Sequence, residues 1–240
     1  MTWFHRQGPL IPLLLVLLAS SPAVAADTGA PRSLVFTRAF GTGYTAALDG
    51  QAVPVAGVEI GRIDVPTGKI VACDPLVCDG IDAFTRPVPT GTFPVQLAIA
   101  RFGSSDERVA FARILFADRP ALRWVMALRP GQAMKDLRPG YLYGYGVDTG
   151  TGAFLDAAAY ATFQQEVVDE AASERLIAEM NRTYANTRSW LIHPSGPANV
   201  ALFSSGFGDG FYASYFGLDK AGRVVALVTD FGVIETQAPR

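Results

Sequence analysis

From Ala157 to about Asn186 the chain contains neither glycine nor proline, and Ala, Glu, Gln, Leu and Met dominate. That is helix composition, and Asp156 stands where a side-chain oxygen can accept the first orphan N–H groups. On both sides of this interval turn formers recur at short spacing: Asp49-Gly50, Pro66-Thr67-Gly68, Pro89-Thr90-Gly91 and Pro194-Ser195-Gly196-Pro197. Segments that short accommodate strands better than helices. The chain is therefore confined to an α+β class, a mostly antiparallel β core with one helical insertion at about 157–186. Within the insertion, Phe163 and Val167 form one stripe, and Ile177, Met180 and Tyr184 another. The two are out of phase by roughly 80° at the helical period, which predicts a break near Ala171-Ala172-Ser173.

Strand signals run through Ser33–Thr37, Val58–Ile63, Lys69–Ala72, Phe93–Phe102, Trp124–Leu128 and Tyr141–Val147. After the insertion they return in Asn199–Phe203, Gly210–Gly217 and Arg223–Asp230, the last two joined by a turn at Asp219–Gly222. The segments 96–102 and 108–116 read as a hairpin about Gly103-Ser104-Ser105-Asp106. In its second arm both alternating sets, Ala110/Ala112/Ile114/Phe116 and Val109/Phe111/Arg113/Leu115, are mostly apolar, so that strand is expected to be covered on two sides.

The N-terminus sets the compartment. Arg6 precedes the apolar run Leu10–Ala19, and Ala23-Val24-Ala25 supplies the small residues a signal peptidase needs. The run is too short for a permanent anchor and no second one follows. The expectation is a signal peptide over 1–25, a loose leader over 26–32, and a single α+β domain over 33–240, periplasmic or secreted, with no membrane span after cleavage. Formal charge is −2, and removing Arg6 leaves −3; no Lys/Arg run suggests a nucleic-acid partner. The two cysteines, Cys73 and Cys78, favour a structural disulfide outside the cytoplasm, closing a short loop worth about 2 kcal/mol. Free thiols are the alternative, and a redox pair is disfavoured because the spacing is C-x4-C rather than C-x-x-C.

Four stretches carry a family resemblance. They are Pro66–Leu76 (PTGKIVACDPL), Val88–Val95 (VPTGTFPV), Gly144–Asp156 (GYGVDTGTGAFLD) and Gly208–Tyr212 (GDGFY), the last running on to Asp230-Phe231. In order and spacing the chain resembles a bacterial family catalogued as domain of unknown function 4241. The resemblance implies no assigned activity and no catalytic residues to carry over.

Asp74, Asp148, Asp156, Asp209 and Asp230 sit in or beside these stretches. Three such carboxylates within reach of one another would suit Ca²⁺. The competing reading is local: Asp156 caps a helix, and Asp148 and Asp209 accept backbone N–H bonds in glycine-flanked turns. No metal site is assigned on this reading, and no cofactor beyond that calcium alternative. After cleavage His193 is the sole histidine; it precedes Pro194 and reads as a loop or helix-exit residue, with Ser195 too near for an ordinary nucleophile pair. Gly206–Gly210 lacks the Lys-Ser/Thr of a phosphate loop and reads as a hairpin. Tyr141, Tyr143 and Tyr145 alternate, so on a strand they would share a face, and Tyr212 and Tyr215 fall in a second aromatic stretch. Such tyrosines suit a protein or glycan ligand, unless they pack beneath the helices. The sequence thus favours a non-enzymatic binding module for a protein or cell-envelope ligand, immunity-type being one version. The alternative is an aspartate-dependent enzyme, with or without calcium, acting on an envelope polymer.

Overall fold

The structure, a computed structural model, describes residues 30–48, 50–77 and 79–237. The signal segment, most of the leader and Cys78 lie outside the described residues. In chain order the elements are β1 (Ala30–Pro31), α1 (Arg32–Arg38), β2 (Tyr44–Leu48), β3 (Gln51–Val65), β4 (Ile70–Cys73), β5 (Gly91–Arg101), β6 (Glu107–Leu115) and β7 (Arg123–Met126). Then follow β8 (Tyr145–Val147), β9 (Thr151–Asp156), α2 (Ala157–Val168), α3 (Glu170–Met180), β10 (Trp190–Ser195), β11 (Ala198–Ser204), β12 (Gly210–Leu218), β13 (Val224–Asp230) and β14 (Thr236–Gln237).

The strands make a large antiparallel sheet in the order β2-β3-β5-β6-β13-β12-β7, with β8 also on β12, and a small antiparallel sheet in the order β10-β11-β9-β4. A short parallel pair, β1 with β14, brings the two ends of the described chain together. β3 packs against β9, β10 and β11, so the sheets stack face to face. The sheets approach closely at Gly61, beside a bulge in β3. A Cβ there would lie 2.6 Å from Ile192 Cγ1, at a φ of +141°, so only glycine lets the layers meet. Edge-to-face rings fill the space between sheets: Phe154 on Phe203 at 5.0 Å and Tyr212 on Phe231 at 5.0 Å. On the outer face of the small sheet, α2 and α3 close a second core of Val71, Cys73, Leu155, Phe163, Leu176, Met180 and Leu202.

The fold is α+β and mostly antiparallel, as the composition requires. The β5–β6 hairpin forms, and β6 is covered on both sides: Phe111 meets Phe36 of α1 at 5.3 Å on one face, and β11 approaches the sheet from the small-sheet side. Asp156 caps α2, accepting from Ala158 N at 2.9 Å.

Four expectations need correction. Ser33–Thr37 is helical, not a strand; Val35, Phe36 and Ala39 are fully buried, and seating Phe36 between Phe111, Trp124 and Tyr215 outweighs the β-propensity of Val, Phe and Thr. The expected break in the helical interval is present, but at Asp169, which caps α3 through Ala172 N at 2.7 Å, and the interval is shorter than expected: the second helix ends at Met180, and Asn186 lies in a turn. Gly206–Gly210 is not a hairpin: β11 and β12 belong to different sheets, and the glycines carry the chain between layers. Finally, His193 is in a strand, β10.

Candidate binding cleft

The aspartates are distributed, not convergent. Asp74 and Asp156 are buried at opposite ends of the β4–β9 ladder, which pairs Cys73 with Ala153 and Ile70 with Asp156. Asp74 accepts from Leu76 N at 3.1 Å, Asp148 N at 2.9 Å, Thr149 N at 2.8 Å and Thr149 Oγ1 at 2.8 Å. Asp156 accepts from Thr67 N at 3.1 Å and Thr67 Oγ1 at 2.7 Å besides its helix cap. Each carboxylate therefore latches one family-like segment to another, its lone pairs filled by N–H and O–H donors. Asp148 and Asp209 are exposed, one residue beyond the paired Val147 and Gly210. Among the described residues neither has a hydrogen bond to its carboxylate; the turn-holding work expected of Asp148 is done by Asp74. Asp230 accepts from Gly232 N at 2.9 Å. Among the described residues no three His, Cys, Asp or Glu side chains gather where they could hold a metal ion.

The tyrosines do not form the expected row. The strand begins only at Tyr145, which is buried, and burial pushes its phenol above the usual tyrosine range. Tyr143 is half-buried, with its hydroxyl on Ala133 O at 3.2 Å, and Tyr141 alone is well exposed, at 68 %. Tyr212 and Tyr215 are buried on opposite faces of β12, Tyr212 against Phe231 and Tyr215 against Phe36. Alternation along one strand, with both faces covered, takes these rings out of reach of a ligand.

His193, Ser195 and Glu166 do meet, but not as a hydrolytic triad. Ser195 Oγ donates to Glu166 Oε1 at 3.3 Å rather than to the imidazole, and Ser195 is buried. A nucleophile needs its base on the hydroxyl and an open approach.

The remaining cluster was not visible in the sequence. Glu107, at the start of β6, is 3 % exposed and stands between two arginines. Arg101 holds Oε1 through Nε and Nη2, both at 2.8 Å; Arg188 holds Oε2 through Nε at 2.9 Å and Nη2 at 2.8 Å. Burial alone would raise the Glu107 carboxyl, but the two guanidiniums outweigh it and keep it below the usual glutamate range. Two cations on one anion leave one positive charge uncompensated. Arg188 also lies over the Trp190 ring, 4.8 Å from its centroid.

Arg188 is delivered by a strained turn. Ala185 and Arg188 exchange backbone bonds around Asn186 (φ 51°) and Thr187 (φ 75°). This loop suits Asn, but a β-branched threonine in the left-handed region costs about 1–3 kcal/mol. It is held by Thr187 Oγ1 on Glu107 O at 2.8 Å and by Glu107 N on Asn186 O at 2.8 Å. The arginines border a cleft of about 240 Å³ on the large sheet. Pro54, Ala56 and Val58 of β3 with Ile99 of β5 make an apolar floor, and Tyr44 and Thr45 of the edge strand β2 a rim. The local hint in the sequence is Asn186, a non-glycine residue well suited to a positive φ, but no Gly or Pro marks the turn, so composition alone runs it on with the helical interval.

No helix among the described residues is long and apolar enough to cross a membrane. Neither a curated protein nor a solved structure matches the chain. The family-like segments joined by Asp74 and Asp156 lie within a match that spans residues 63–229, and the chain belongs to the family described as protein of unknown function (DUF4241).

Proposed function

We propose that this protein is an exported, non-enzymatic binding module that takes an acidic segment of a protein partner in the Arg101–Arg188 cleft. The observation that carries the reading is the pair of guanidiniums sharing one carboxylate beside an apolar floor. The floor suits alternate apolar side chains of an extended segment, and the surplus charge suits a carboxylate between them. Export rests on the signal pattern of the first 25 residues, and Cys73 with Cys78 would then form a disulfide in the periplasm or medium. A protein is favoured over a glycan because Tyr145, Tyr212 and Tyr215 are buried and offer no stacking face. An aspartate-dependent enzyme is disfavoured because Asp74 and Asp156 are spent on structural donors at opposite ends of a ladder.

The test is calorimetric titration with a decapeptide of alternating Glu and Leu, at roughly 0.05 M and 0.5 M salt. Binding is expected at low salt, weakened at high salt, and reduced roughly fivefold by Arg101→Gln, whose site is 61 % exposed. Equal binding by the variant, or none by the wild type at millimolar peptide, would overturn the assignment.

A further inference from the structure

A second cleft, of about 310 Å³, opens between the helical pair and the small sheet, and His193 of β10 stands in its wall. Its Nε2 lies 3.1 Å from Glu166 Oε2 of α2. An ionised carboxylate has no proton to give, so Nε2 carries the hydrogen, and in the neutral ring Nδ1 keeps a lone pair. Nδ1 is buried, with no hydrogen-bond partner among the described residues. It faces Glu179 Oε2 of α3 across 4.0 Å. Two acceptors thus oppose one another over a gap that a proton would bridge. The other charged group lining this cleft is Arg175, also on α3. Across the small sheet His193 pairs with the apolar Val200 of β11, and the Phe163 ring stands edge-on at 6.2 Å.

We infer that His193 is a proton-operated latch for the helical insertion. Uptake of a proton at Nδ1 turns the ring into a donor on both sides, tying α2 through Glu166 and α3 through Glu179 to β10. Loss of that proton leaves lone pair against carboxylate, and α3 is then held to the sheet by its apolar contacts, Leu176 and Met180, alone, so it opens locally more often. The sign is set by geometry: acid closes, base opens. This device is independent of the Arg101–Arg188 cleft.

Two measurements test it. Long-range ¹H–¹⁵N spectra of the imidazole, assigned to His193 by its loss in His193→Asn, should show the Nε2–H tautomer at alkaline pH. Amide protection over Glu170–Met180 should fall roughly tenfold from about pH 5 to about pH 8, while that of the β5–β6 hairpin does not. Glu179→Gln keeps the shape and lets the amide N–H donate to Nδ1, so α3 protection should become independent of pH. An Nδ1–H tautomer in the wild-type protein would overturn the proposal without any variant. So would a loss of α3 protection with pH that is the same in Glu179→Gln.

Discussion

Asp74→Ala removes the acceptor of three backbone N–H groups, those of Leu76, Asp148 and Thr149, and of the Thr149 hydroxyl. An orphaned buried donor costs about 1–3 kcal/mol. Residues 148 and 149 are themselves exposed, so water would replace part of what is lost, and the low end of that range applies. Three donors at about 1 kcal/mol each give roughly 3 kcal/mol, and in a chain of this size that lowers Tm by about 6–12 °C. Asp74→Asn should fall between: one oxygen still serves residues 148 and 149, while the amide N–H₂ meets the Leu76 N–H and loses that bond, costing about 1–1.5 kcal/mol. Thermal and urea unfolding followed by circular dichroism read both values. A double-mutant cycle with Thr149→Val should give a coupling of about 1 kcal/mol. The latch reading is refuted if Asp74→Ala costs less than about 1 kcal/mol, or if Asn is as damaging as Ala. A carboxylate needed for its charge alone would show the second pattern.

Asp156→Ala, which loses the α2 cap and both Thr67 bonds, should cost about 3 kcal/mol in the same assay, whereas Asp148→Ala and Asp209→Ala should each stay within about 0.5 kcal/mol. Gly61→Ala should destabilise by more than about 2 kcal/mol, since the new methyl meets Ile192 at a φ that L-residues avoid; a neutral result in urea melts would mean the sheets do not approach there. The depressed Glu107 carboxyl gives stability that is fully present above the unfolded value near 4.5 and lost as pH falls through the lower folded value. Melting temperature should therefore drop with acid below about pH 4.5, and Arg188→Met should flatten that limb; an unchanged slope would remove the Arg–Glu–Arg cluster from the account. Thiol labelling of unreduced, denatured protein should find no free thiol at Cys73 or Cys78, and two labelled cysteines would dismiss the proposed disulfide.

Much of the architecture follows from local pattern. The Gly- and Pro-free interval is helical over most of its length, as its composition predicts, Asp156 has the chemistry and position of an N-cap, and the two-sided apolar alternation of 109–116 matches a strand covered on both faces. Each is a statement about neighbours in sequence, where period and propensity act directly. The tertiary structure decided the rest. Ser33–Thr37 reads as a strand until the pocket made by Phe111, Trp124 and Tyr215 is there to receive Phe36. Whether an aspartate is spent or free depends on donors 75 residues away, as Thr149 is from Asp74. Tyr141, Tyr143 and Tyr145 read as a surface row because alternation gives a face but not what covers it. Arg101, Glu107 and Arg188 come from a hairpin and a distant strained turn, and no sequence spacing announces that two cations will share one carboxylate. Local preferences therefore determined most elements of this protein, α1 excepted, while the stacking of two sheets determined which charged side chains came together at the Arg101–Arg188 cleft.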